Sequence, residues 1–285
     1  APELQAASLR GATAVGEIGN LPRMHPTLQR LPLPSDVEDW SRRPRRPPTH
    51  DELYAQLYNT SFVEGSDIFA TFPNTYGLVP HLNYPHSSMW LKGDIVMERV
   101  FQELGAEKLR FIVEAGSMHG GSAIRMAMEL DARGLRDVPI LCVDPWTGDL
   151  NMWLNRVVWE HLGVRDGRAT TYDQFMVNVR QAVVDNMISP HHIVAFPVSA
   201  IVGARWLQAT GFTPSLVYLD SAHELDETYF ELCLYYHILE PGGILMGDDY
   251  GWQAVRLDVD RFVRDKGLKL TMFGVYYNWF VKKPA

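Results

Sequence analysis

Ser215-Leu-Val-Tyr-Leu-Asp-Ser-Ala-His223 and, about 28 residues on, Gly243-Ile-Leu-Met-Gly-Asp-Asp-Tyr250 share one plan: a short apolar run that ends in carboxylates. Unbroken apolar runs of this length suit strands buried on both faces, which belong to parallel sheets covered by helices. Between them lies Leu225–Leu239, with helical spacing, stopped by Glu240-Pro-Gly-Gly243. Strand, helix, strand in that order puts Asp220, Asp248 and Asp249 at the carboxyl ends of neighbouring parallel strands, where open α/β sheets bind ligands. Three carboxylates gathered there repel one another unless a cation joins them, and hard oxygen donors suit Mg²⁺. His223, three residues past Asp220, adds a candidate general base.

Outward from this unit the same alternation extends over the chain from about residue 92. Helices are expected at Ile95–Leu104, Ser122–Leu130, Tyr172–Met187, Ile201–Ala209 and Trp252–Lys266, and strands at Phe111–Ala115, Ile140–Asp144 and His192–Phe196. Lys269–Phe273 and Tyr277–Lys282 are two further strands, close enough for a hairpin. The fold class is therefore α/β: a doubly wound, mostly parallel seven-stranded sheet. Residues 91–285 form that domain. Residues 1–90 form an arm and lid over the carboxyl ends of the strands: eight of the 18 prolines fall in the first 50 residues, including Arg42-Arg-Pro-Arg-Arg-Pro-Pro48. That basic run reads as solvated surface. Asp51–Tyr58 is a short helix, and the aromatic, proline-rich stretch from Phe69 to His86 has the composition of a binding loop.

The 285-residue chain carries a net charge of −8 with no long basic block, which argues against nucleic acid or a membrane surface as partner. No stretch reaches the roughly 18 apolar residues of a membrane span, and no signal-peptide core opens the sequence. The chain begins with Ala, which leaves a removed targeting segment open. Cys142 and Cys233 lie inside apolar runs and read as buried free thiols, so a reducing, cytoplasmic setting is expected.

Three further motifs carry chemistry. Glu114-Ala-Gly-Ser-Met-His-Gly-Gly-Ser122 runs from a strand through a glycine turn into a helix; Gly116, Gly120 and Gly121 allow close backbone approach, and a helix N-terminus favours a carboxylate or phosphate. Asp144 ends the next strand, where an acidic residue binds ribose hydroxyls in many nucleoside-binding folds or is simply solvated. Ser199 follows the strand after that and suits either a nucleobase contact or a helix N-cap. Asp248 and Asp249, being adjacent, converge on one ion only if the strand has ended or turned; otherwise Asp249 is free to cap the following helix. His191-His192 has no neighbouring Cys or Glu at ligand spacing and gives no zinc motif. Among the aromatics, Tyr250 and Trp252 beside the acidic cluster suit substrate contact, and Trp146, Trp153 and Trp159 suit either a pocket wall or helix packing.

The order Glu-x-Gly-x-x-x-Gly-Gly-Ser, Val-Asp-Pro-Trp, Tyr-Leu-Asp-x-x-His and Leu-x-Pro-Gly-Gly-Ile-x-x-Gly-Asp-Asp-Tyr resembles the class I S-adenosylmethionine-dependent methyltransferases. It is most similar to the metal-dependent small-molecule O-methyltransferases of the macrocin/mycinamicin type, over roughly residues 92–283. The resemblance implies that Glu114, Gly116, Ser117 and Ser122 hold the methionine part of the cofactor, that Asp144 takes the ribose hydroxyls and that Ser199 lies near adenine. It implies Asp220, Asp248 and Asp249 as Mg²⁺ ligands, with Asp220 and His223 at the reaction centre and His223 as the base for a small-molecule hydroxyl, as on a sugar or natural product. The macrolide-sugar enzymes often carry Glu at the position of Asp248. Competing expectations are metal-free N- or C-methylation, a cephalosporin-hydroxylase-like activity on the same fold, and a non-catalytic cofactor-binding partner. The missing G-x-G-x-x-G spacing weighs against a dinucleotide oxidoreductase. Homo-oligomerisation, with the Pro/Arg arm as one contact, is compatible with the sequence but of no fixed order.

Overall fold

In a computed structural model of the chain, described for residues 44–58, 95–154, 162–273 and 277–285, seven strands build one sheet in the order β3-β2-β1-β4-β5-β7-β6. The strands are β1 Ile112–Ala115, β2 Ile140–Val143, β3 Ile193–Phe196, β4 Leu216–Leu219, β5 Ile244–Gly247, β6 Thr271–Met272 and β7 Trp279–Lys282. Strands β1 to β5 run parallel, and β7 enters antiparallel between β5 and β6. The expected terminal hairpin is present, with its β6 strand cut to two residues. The strand order reverses at β1, which pairs with β2 on one side and β4 on the other; such a switch point opens a crevice at the carboxyl edge.

The helices are α1 His50–Tyr58, α2 Ile95–Leu104, α3 Gly121–Ala132, α4 Leu150–Leu154, α5 Thr171–Val184, α6 Ala200–Thr210, α7 Glu227–Ile238 and α8 Gln253–Lys266. Alternate strand residues feed two cores. Ile112, Ile140, Cys142, Tyr218 and Met246 pack with α2, α3 and α5, whereas Val113, Leu141, Val143, Val217 and Leu245 pack with α6, α7 and α8. Both faces are covered, which is why each central strand is apolar without interruption. Glu114 is the exception, a carboxyl in the middle of a buried strand.

Most element ends fall within two residues of the sequence expectation, and two differences are larger. Helix α5 stops at Val184 rather than Met187, because Asn186 takes a left-handed φ of 55° and Met187 N–H bonds back to the Ala182 carbonyl at 2.9 Å. Helix α4 forms inside a stretch that reads as loop. Residues 44–58 lie along the domain: Arg46 exchanges backbone hydrogen bonds with Gly211 and Thr213, and Tyr58 Oη donates to the Ala195 carbonyl at 2.8 Å. Arg46 pairs with Glu52, and Arg45 donates to the His237 carbonyl, so these two guanidiniums serve the chain itself. The loop expected at Phe69–His86 lies outside the described residues. Among the described residues no helix is long and apolar enough to cross a membrane.

Candidate active site

Loops at the carboxyl edge enclose a cleft of 1070 Å³. From the β3-β2-β1 half of the sheet its wall receives Gly116, Asp144 and Ser199, and from the β4-β5 half Asp220, His223, Asp248 and Asp249. Gly116 is required by geometry: its φ is +90°, and a Cβ there would stand 1.9 Å from the Asp220 carbonyl oxygen. A bare backbone at this position lets β1 and β4 meet at the switch point.

Glu114, Ser117 and Ser122 stand behind the turn rather than on the cleft wall. Glu114 is 0% exposed and accepts a 2.5 Å hydrogen bond from each hydroxyl, Ser117 Oγ on one oxygen and Ser122 Oγ on the other. Burial raises its carboxyl to about 7 against the pull of those donors. Asp144 ties the next loop to the turn, accepting from Met118 N–H at 2.8 Å and Trp146 N–H at 2.5 Å. Both donors sit at left-handed φ, 42° and 52°, a costly conformation for large side chains and one that gathers at functional sites. Burial pushes the Asp144 carboxyl up against the pull of its backbone donors, Met118, Trp146 and Ser117. Ser199 serves in both expected ways: it caps α6 through Val202 N–H, and it lines the cleft.

On the acidic side the chain turns as soon as β5 ends. Asp248 Oδ1 accepts from Asp249 N–H at 2.8 Å, and Asp249 takes φ 57°. The turn carries the Asp249 carboxylate to His223 Nε2, 2.8 Å away, while His223 Nδ1 meets Asp149 Oδ2 at 2.7 Å. The side chain of Asp249 is therefore not a helix cap; the N-cap residue of α8 is Trp252, and no side chain caps the helix. One ligand atom each from Asp220, His223 and Asp249 lie within 4.8 Å of one another. Asp248 shares the cleft wall but stands outside that set.

Electrostatics follow from this crowding. Burial and the charges of Asp248 and Asp249 hold Asp220 well above the usual carboxylate range, and burial with Asp249 raises Asp248 to about 6. Burial alone would lower the His223 imidazole, but its bonds to Asp149 and Asp249 and the Asp220 charge prevail and lift it to about 10. An imidazole donating from both nitrogens has no lone pair to accept a proton. Base chemistry at Nε2 thus requires that the ring first give up its Nε2 proton, which becomes easier once Asp249 turns away and no longer stabilises the imidazolium.

The aromatics divide. Trp146 is buried on the cleft wall, and Trp252 lines it with its ring 5.4 Å from that of His223. Tyr250 instead donates to Asp260 on α8 at 2.6 Å, and Trp153 to the Thr147 carbonyl. Trp159 lies outside the described residues. The sequence reading places Asp149 only among the tryptophans of a loop-rich region, without a role, and does not single out Glu231. Gly148-Asp149 before a short apolar run is an N-cap signal, but the His223 partner is 74 residues distant. Glu231, on α7, lines the cleft and accepts from Ser221 Oγ. The structure also gathers His50, Asp51 and His191, a group joined across the fold rather than along the chain.

Residues 113–250, just under half of the chain, match the model of a family described as a methyltransferase domain. Among solved structures, the calicheamicin methyltransferase CalS11 aligns at 14% identity over 82% of this chain and 90% of its own, with a TM-score of 0.48. The O-methyltransferase TomG from Streptomyces achromogenes aligns at 16% identity over 82% and 95%, with a TM-score of 0.45, and the O-methyltransferase NovP at 16% over 66% and 79%, also at 0.45. With TM-scores below 0.5, none of these likenesses bears on the chemistry. No curated protein matches the chain. The domain match spans the glycine turn and both acidic strand ends of the seven-stranded sheet: the chain carries an S-adenosylmethionine-dependent methyltransferase domain.

Proposed function

We propose that the protein methylates a hydroxyl of a small molecule, with Mg²⁺ held beside the acceptor by Asp220, Asp248 and Asp249. The observation that carries this reading is the convergence of Asp220, His223 and Asp249 on the wall of the same cleft that Gly116, Asp144 and Ser199 line. The donor set fits a hard cation: three carboxylates on one wall, crowded enough that Asp220 and Asp248 are both held above the usual carboxylate range. When bound, Mg²⁺ would supply a Lewis acid that lowers the pKa of a coordinated hydroxyl.

The chain's own residues do the rest. The Gly116 turn and the N-terminus of α3 receive the methionine part of the cofactor, braced from behind by Glu114 with Ser117 and Ser122. Asp144 accepts from the ribose hydroxyls, and Ser199 stands near adenine. His223 takes the acceptor proton at Nε2 once Asp249 has turned from it and the proton that Nε2 carried has passed to solvent. The oxygen then displaces sulfur at the methyl carbon; orienting the two substrates in one cleft is worth about 7–11 kcal/mol.

Metal-free transfer is supported by one observation, the His223 side chain already offsetting Asp149 and Asp249. Chelation separates the readings. Turnover with a panel of vicinal diols, sugars and catechols should vanish with a chelator and return with Mg²⁺. Turnover indifferent to the chelator removes the metal from the mechanism while leaving the methyltransferase.

A further inference from the structure

Asp149 sits where the β2 loop enters α4, just after Gly148, and both of its oxygens are committed. Oδ1 accepts from Met152 N–H at 2.8 Å and caps α4; Oδ2 accepts from His223 Nδ1–H at 2.7 Å. The contact is sheltered, with side-chain exposures of 21% for Asp149 and 14% for His223. A second link between the same two loops runs alongside, from Asn151 Nδ2 to Glu224 Oε1 at 3.1 Å. A carboxylate pinned at one oxygen by a helix terminus cannot swing, so the imidazole bonded to its other oxygen cannot rotate freely either.

We infer that Asp149 is the positioning residue for His223: it keeps a proton on Nδ1, so that Nε2, which faces Asp249 and the Asp220 cluster, is the nitrogen left to accept a proton. This rests on the reading of His223 as base. In the reaction, with Asp249 turned away and the earlier Nε2 proton released to solvent, the acceptor O–H proton passes to Nε2. The O–H bonding pair stays on oxygen and forms the new O–CH₃ bond, and the broken C–S pair returns to sulfur. The Nδ1–H bond and the ionised Asp149 are unchanged throughout, the division of labour that an orienting carboxylate has behind a histidine base elsewhere.

The test is Asp149→Asn, which keeps the shape and removes one acceptor. An amide has one carbonyl oxygen and cannot serve both Met152 N–H and His223 Nδ1–H. With the cap kept, the NH₂ group faces Nδ1, which becomes the acceptor and moves the proton to Nε2. Turnover should fall about 10²–10⁴-fold, with acceptor KM and S-adenosylhomocysteine affinity within about twofold. In the His223→Gln background the same substitution should have almost no further effect, because groups that act as a unit are not additive. Ring-nitrogen NMR of protein without metal or cofactor gives an independent readout: a hydrogen-bonded Nδ1–H resonance of His223 present in the wild type and absent in the variant.

Unchanged turnover in Asp149→Asn overturns the inference, as does a retained Nδ1–H resonance. An equal loss of turnover in the wild-type and His223→Gln backgrounds also overturns it, since Asp149 would then act by another route. If the wild type binds no S-adenosylhomocysteine, the proposed function fails, but the NMR comparison still decides whether Asp149 fixes the imidazole.

Discussion

Glu231 shows how a single buried group can be read from its environment. It is 7% exposed, accepts from Ser221 Oγ at 2.5 Å, and burial raises its carboxyl to about 7. A folded-state pKa above the unfolded value favours the protonated form, so its contribution to stability is complete below about pH 4.5 and is lost as pH rises through 7. Gln can still accept from Ser221 and carries no charge. Melting curves of Glu231→Gln and wild type should therefore diverge between pH 5 and pH 8, the variant gaining up to about 3 kcal/mol at the alkaline end. A difference that is flat or reversed across that range would contradict the assignment. Legibility at this scale was uneven. Asp144, Asp220 and Asp248 announce themselves by ending apolar runs. Asp149 and Glu231 do not, since their partners lie in other elements and only folding brings the pairs together.

Among elements, the meeting of β1 with β4 governs the cleft. Strand positions could be read within a residue or so because both sheet faces are buried, which leaves runs such as Leu216–Leu219 wholly apolar. Helix ends were harder: α5 is closed by a left-handed Asn186, a backbone choice that hydrophobic spacing does not encode. Helix α4 is only five residues long, and its cap comes from Asp149, so periodicity had too few turns to register. The turn after β5 was foreseen as a condition, and Asp249 meets it with φ 57°. At the β1–β4 contact, Gly116→Ala would force a methyl group onto the Asp220 carbonyl at a φ that disfavours side chains. We expect a loss of about 1–3 kcal/mol in urea unfolding, together with weaker S-adenosylhomocysteine binding, because Asp220 and Asp144 would both shift. Wild-type stability in this variant would show that the two strand ends have room to spare.

For the whole molecule, the switch point brings two groups of loops to one cleft, those after β1, β2 and β3, to which we assign the cofactor, and those after β4 and β5, to which we assign the acceptor. Helices α6 and α7 hold the second core beneath it, and α3 and α5 the first. The division was legible because strands that alternate with helices leave few topologies, and the motif order along the chain then fixes which loop faces which. What belongs to residues 1–90 was less so, beyond the segment 44–58 that packs along the domain. The central claim is that the two halves have separate duties, one for cofactor and one for metal and acceptor. It is tested most directly by calorimetric titration of S-adenosylhomocysteine into wild type and Asp249→Ala, each with an activity assay. The account predicts tight one-to-one binding in both proteins, with affinities within about threefold, and turnover in the wild type alone. No binding to the wild type, or cofactor affinity lost together with turnover in Asp249→Ala, would contradict it.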